Sequence, residues 1–311
     1  MTLRYLPRSV LTRRTDETDE HAHGSDAHGS NDCGSDAHGS GPQGADSPDG
    51  RWNRTVSALA EGRLELHVQP VAALGAGGYV GLETLVRLPD PAPARPQPVM
   101  GPRSLTAAGD LGGPDEVVAL NAWLVREAAA ALARWIPARR PQQDGIRFVA
   151  VSVDERFMAD ESFLGTVKDG VRQAGIGADN LLLTVDGRPG LDRLWSKLQR
   201  LKSHGVRVAL DDFGPGSHAT DLLRRFSFDA VRMPAPDSVA LAEEGNELRT
   251  TIKLAHNLGC EVIVDGVLDD EHLEGLRWLG ADLAVGPRLG HPSPASLGPR
   301  GYTDLAARPA G

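Results

Sequence analysis

Two cysteines in 311 residues, Cys33 and Cys260, exclude a disulfide framework and a cysteine-based zinc site. Such sparing use fits a reducing compartment. Aromatic residues are scarce at 5%, so the apolar content of 40% rests on Ala, Val and Leu. No run of about 18 apolar residues occurs, and the opening MTLRYLPRSVLTRRTDE holds no continuous apolar stretch. Neither a membrane span nor a secretory leader is expected; the expectation is a soluble cytoplasmic protein. No strand pattern leads into Gly-x-Gly-x-x-Gly, which disfavours a dinucleotide site. Positive charge is missing from one segment: residues 15–50 hold nine Asp or Glu and no Lys or Arg. Residues 1–14 hold four Arg and no acid, which leaves 29 basic and 33 acidic residues in 51–311, a net of -4. That balance gives no case for a nucleic-acid partner.

The segment that lacks cations also lacks core formers. Residues 15–50 are Gly, Ser, Asp, His and Pro, with GSDAHGS at 24–30 and again at 34–40. Such a composition cannot offset its ordering entropy, so residues 1–52 are expected to be a disordered acidic tail. His21, His23, His28 and His38 lie in it with no spacing that defines a coordination geometry.

From Arg51 the pattern changes. Residues 52–60 suit a helix, and 64–68 alternates as a strand that Gln69-Pro70 should end. Residues 79–88 read as its hairpin partner. A Pro-rich loop and a long helix over 114–135 follow. Strands are then expected at 148–153, 181–185, 206–210, 228–233, 260–264 and 283–285. Helices near 160–174, 190–203, 218–225, 246–258 and 270–279 separate them. Alternation at this spacing implies parallel βα units, and about 250 ordered residues suit a closed (β/α) barrel. An open doubly wound sheet is the second expectation. The barrel should cover 53–295, with a flexible C-terminal tail over 296–311.

The sharpest feature is Val206–Gly216, an apolar strand that runs into Asp211-Asp212 and then a Gly-Pro-Gly turn. Adjacent acids repel, and a nearby cation is the natural resolution. A helix cap is the plainer alternative. Polar residues recur near the other strand ends: Glu83, Ser152, Thr184, Asp186, Arg232 and Asp265. In a barrel these ends meet at one mouth. Glu83, Asp211, Asp212 and Asp265 together point to a hard-cation site for Mg²⁺, Mn²⁺ or Ca²⁺.

Gln69-Pro70, Gly81–Arg87, Asp211–Gly214 and Asp265-Gly266-Val267 resemble, in order and spacing, the motifs of the EAL family of bacterial cyclic di-GMP phosphodiesterases. The resemblance implies a modified TIM barrel with one antiparallel strand. It also implies a two-metal hydrolysis of the cyclic dinucleotide to linear pGpG. By the same resemblance Glu83, Asp211, Asp212 and Asp265 are the metal positions, while Gln69, Arg87 and Asp212 are substrate-binding positions.

The departures weaken that set. The signature Glu-Ala-Leu reads Glu83-Thr84-Leu85; the metal-binding Asn and Glu of the next two strands are Ser152 and Thr184. The catalytic Lys is Arg232, the Glu of the Glu-Gly-Val motif is Asp265, the Glu that follows is Leu268, and the Gln near the last strand is Val285. Ser and Thr are poor ligands beside amide and carboxylate oxygens. Arginine, with a pKa above ~12, takes no proton. So Mg or Mn binding is expected to be impaired and no residue is assigned as catalytic. The expected function is a degenerate member, a cyclic di-GMP receptor or protein-interaction module. The alternatives are a weak metal-dependent phosphodiesterase and a barrel that binds neither nucleotide nor metal. Because four acids would repel ligand phosphates, nucleotide binding is expected to need a divalent cation and Arg87.

Since the tail offers nothing to bury, deleting residues 1–50 should leave the melting temperature of the body unchanged. A clearly lower value in the truncated protein would show that the tail packs on it.

Overall fold

Short Val-, Leu- and Ala-rich strands alternate with helices from residue 79 to residue 285 in the computed structural model, which describes residues 48–75, 77–87, 113–136, 145–187, 190–214, 219–235 and 245–297. These all belong to one compact unit, Pro48–Gly311. The expectations for residues 1–47, for the Pro-rich loop and for 298–311 fall outside the described residues.

The strands are β1 (Glu65–Ala73), β2 (Tyr79–Arg87), β3 (Phe148–Ser152), β4 (Leu181–Asp186), β5 (Arg207–Asp211), β6 (Ala230–Pro234), β7 (Glu261–Asp265), β8 (Leu283–Val285) and β9 (Ser293–Pro294). Strands β2 to β8 pair in parallel in chain order. Antiparallel β1 closes the ring by pairing with both β2 and β8, and β9 adds to β1 outside it. This is a closed eight-stranded mixed barrel of the expected kind. Around it lie α1 (Pro48–Ala60), α2 (Pro114–Trp135), α3 (Glu155–Ala159), α4 (Phe163–Ala174), α5 (Trp195–Lys202), α6 (Ala219–Arg225), α7 (Gly245–Asn257) and α8 (Asp270–Leu279). Among the described residues no helix is long and apolar enough to cross a membrane.

Three boundaries differ from the sequence reading. The first helix begins at Pro48, so a deletion that spares it stops at residue 47. Strand β1 runs on through Gln69 and Pro70 to Ala73. Its ladder on the β8/β9 side is open between Val68 and Ala72, a position where proline's missing N–H is tolerated. The helix expected near 160–174 is α4, and a short helix not expected from the sequence, α3, precedes it; between them the Asp160 carboxylate accepts the Ser162 N–H (2.8 Å) and turns the chain. Lys197 then donates to the carbonyls of Met158, Ala159 and Asp160 at 2.6–3.0 Å, satisfying the end of α3.

The period-two alternation of strands divides the core into two layers. Leu82, Val149, Leu183, Val208, Val231 and Val262 face the helices. Phe148, Ala150, Leu182, Ala209, Ala230 and Ile263 fill the barrel. Arg207, the one polar residue in the apolar run of β5, lies at its N-terminal end. There it pairs with Glu261 and stacks on the Phe148 ring (5.5 Å). That ring needs Gly81 opposite it, since a Cβ there would stand 2.4 Å from a ring carbon.

His67 on β1 is 2% exposed, with Glu65 3.3 Å from its Nε2. Burial pushes its imidazole below the ordinary histidine range, and Arg87 adds to this, while Glu65 works in the other direction. The unfolded chain therefore takes up a proton that the native state resists. His67 contributes its full stability above the unfolded pKa of about 6.5 and loses it as pH falls toward the depressed native value. Unfolding in urea at pH 8 and at pH 5 should show a larger loss for the native protein than for His67→Gln. Equal losses would show that His67 does not titrate with folding.

Candidate functional site

At the C-terminal end of the barrel the inward residues change from apolar to polar. On β3, Phe148 and Ala150 give way to Ser152; on β4, Leu182 gives way to Thr184 and Asp186. On β5 Ala209 is followed by Asp211, on β6 Ala230 by Arg232, and on β7 Ile263 by Asp265. Hydrogen-bonded register places Ser152 beside Thr184 and Asp186 beside Asp211. The step of two that packs the interior thus delivers polar side chains from β3 to β7 to the mouth.

Three acids of the mouth, Glu83, Asp211 and Asp265, gather around Arg232. Its Nη1 donates to Glu83 Oε1 and its Nη2 to Glu83 Oε2 (3.0 Å), a bidentate pair. Nη2 also donates to Asp265 Oδ2 (2.7 Å), and Asp211 Oδ1 is 4.0 Å from Nε. The side chains are largely buried: Arg232 is 13% exposed, Glu83 12%, Asp211 16% and Asp265 27%. One guanidinium faces three carboxylates, so the cluster keeps a formal surplus of negative charge.

Other expected site residues stand apart from this cluster. Asp212 is exposed and, at φ 59°, is the one non-glycine residue with positive φ among those described. Two bonds hold it there: its N–H donates to Asp211 Oδ1 (2.9 Å), and the next N–H, of buried Phe213, donates to the Arg232 carbonyl (2.9 Å). Gln69 is buried and donates from Nε2 to the Gly290 carbonyl (2.9 Å), tying β1 to the segment after β8. Arg87 ends β2, half-buried, four residues past Glu83 on the same alternate face. Thr84, the altered middle residue of the Glu-Thr-Leu triplet, points away from the mouth and donates to the Ala150 carbonyl (2.9 Å). Val285 is 2% exposed, and its carbonyl accepts the N–H groups of Gly266 and Val267.

The residues at the mouth do not fit a divalent metal as they stand. Both Glu83 oxygens and one Asp265 oxygen are held by Arg232. Thr184 and Ser152 offer only neutral hydroxyls where carboxylate or amide oxygens would be wanted. Among the described residues no three His, Cys, Asp or Glu side chains are placed to hold a metal ion. Sequence reasoning placed Arg232 at this mouth but treated it only as a replaced lysine. The signal that would have paired it was the demand for a cation made by the acids themselves.

The sequence matches the EAL domain over residues 52–292. The uncharacterized protein y4lL of Sinorhizobium fredii is 30% identical over 247 residues, which are 77% of this chain and 28% of that protein. The cyclic di-GMP phosphodiesterase NbdA of Pseudomonas aeruginosa is 29% identical over 243 residues, 76% of this chain and 30% of its own. This chain therefore spans about 30% of the length of those two relatives. The PaMucR phosphodiesterase, solved as a c-di-GMP complex, superposes with a TM-score of 0.67 at 21% identity, over 79% of this chain and 99% of that one. That likeness is one of fold.

Removing the cation from the cluster should be costly, because the carboxylates around it would be left buried and mutually repelling. Arg232→Met should lower the unfolding free energy in urea, without added metal, by about 3–5 kcal/mol. A loss under about 1 kcal/mol would show that the cluster contributes no more than a surface pair.

Proposed function

The chain belongs to the EAL domain family, and on that footing we propose that it works in cyclic di-GMP signalling as a catalytically silent barrel, a nucleotide receptor or protein-interaction module. The family is that of the cyclic di-GMP phosphodiesterases, which are in general metal-dependent. The observation that carries the reading is the bidentate hold of Arg232 on Glu83, with Asp265 on the same guanidinium. Hydrolysis in this family needs a metal-held water. Here the carboxylates that would hold the metal are spent on a side chain that takes no proton at neutral pH. Thr184 and Ser152 supply no compensating charge, and Val285 supplies no polar group.

In the receptor role Arg87 grips a ligand phosphate with its planar fork, and Gln69 and Asp212 are the remaining ligand-side positions. Arg87→Ala should then weaken cyclic di-GMP binding in calorimetry by about 1.5–3 kcal/mol, as for a hydrogen bond to a charged group. The second reading, a weak phosphodiesterase, draws on the retained Glu83, Asp211, Asp212 and Asp265. Chromatography after incubation of the full chain with cyclic di-GMP and Mg²⁺ or Mn²⁺ separates the two. No linear pGpG above background is expected. Release at about one turnover per second or faster would overturn the silent reading.

A further inference from the structure

We propose that Arg232 is the mouth's resident cation, its guanidinium occupying the oxygens of Glu83 and Asp265 that a divalent cation would need, so that no divalent cation is held there. The inference rests on the silent reading above and names the physical state of that site. Four departures then become one coherent change. Once a guanidinium stands at the end of β6, the acids on β2 and β7 have their cation. The strands between them no longer need to present anionic or amide oxygens, and Ser152 on β3 and Thr184 on β4 present hydroxyls. A guanidinium has five N–H donors and accepts nothing, so it demands no ligand from β8, where Val285 closes the interior as an apolar residue.

Lysine could not do the same. Its ammonium is a compact charge on a flexible stem, and it cannot span both Glu83 oxygens in one plane while also reaching Asp265. Arginine's planar fork matches the carboxylate, and its charge persists at every pH at which the protein folds. A divalent cation entering this mouth would have to displace the guanidinium from three carboxylate oxygens and then stand beside a like charge. This changes the expectation drawn from the acids alone. The charge that was assigned to a bound metal is supplied from within the chain.

The test compares wild type, Arg232→Lys and Arg232→Met in chelator and in millimolar Mn²⁺, by melting temperature and by equilibrium dialysis of the metal. Wild type should retain no stoichiometric Mn²⁺, and its melting temperature should stay within about 1 °C between the two conditions. Arg232→Lys keeps the charge and the fold but frees carboxylate oxygens. It should gain bound Mn²⁺ and melt about 5 °C higher when the metal exceeds its Kd by about a hundredfold. Arg232→Met should be the least stable in chelator and recover most in Mn²⁺; if it does not fold, the lysine variant decides alone. Stoichiometric Mn²⁺ on wild type, or no gain of metal by Arg232→Lys, would overturn the proposal. Failure here and failure of the silent reading look different. Wild type that binds Mn²⁺ but releases no linear pGpG refutes only the counter-ion. Wild type that binds no metal yet releases pGpG refutes only the silence.

Discussion

Closing a sheet on itself forces every second residue of each strand into a space shared with seven other strands. The described elements obey that constraint from end to end. Over most of the barrel's length the shared space is apolar and holds Leu182, Ala209, Ala230, Ile263 and their neighbours. Burial of this set and of the helix-facing layer is the dominant stabilising term, at roughly 25 cal/mol per Å² of apolar surface removed from water. Where the strands end, the same alternation offers no choice of direction. A polar residue two steps past Ala209 or Ile263 must point at its counterparts on the other strands.

The two ends of the barrel each hold an arginine, with different consequences. Arg207 lies over Phe148 and pairs with Glu261, a residue 48% exposed, so water screens that pair and its contribution is small. Arg232 sits among carboxylates that are mostly buried. In such surroundings a missing partner costs far more than a present one adds. The charge set at the mouth is therefore coupled.

That coupling alters how the departures from the family pattern are read. Taken one at a time, Ser152, Thr184, Arg232 and Val285 are four lost contacts. Taken together, they lie at the barrel end where one guanidinium holds Glu83 and Asp265. Asp212 fits the same picture from outside. Its own N–H on Asp211 Oδ1 and the Phe213 N–H on the Arg232 carbonyl hold it at positive φ, exposed beside the cluster but not within it. A conformation of this kind costs about 1–2 kcal/mol for a non-glycine residue and persists only where the surroundings over-determine it.

The sequence by itself determined the parallel βα rhythm, the barrel and which strand ends meet at its mouth. Hydrophobic period and turn residues are local signals, and strands carried to a common end bring their last residues together whatever those residues are. Glu83, Asp211, Arg232 and Asp265 were all legible on that basis. So was the need for a cation, since adjacent acids repel in any fold. Only the tertiary structure put Arg232 between Glu83 and Asp265. Arg232 lies 149 residues from Glu83 and 33 from Asp265. Their pairing depends on strand tilt and on the reach of a long side chain across the barrel, and neither is encoded in spacing along the chain. The run of β1 through Pro70 was hidden for the same reason. A proline stops a strand only where its absent N–H is wanted, and where it is wanted depends on which neighbours lie alongside.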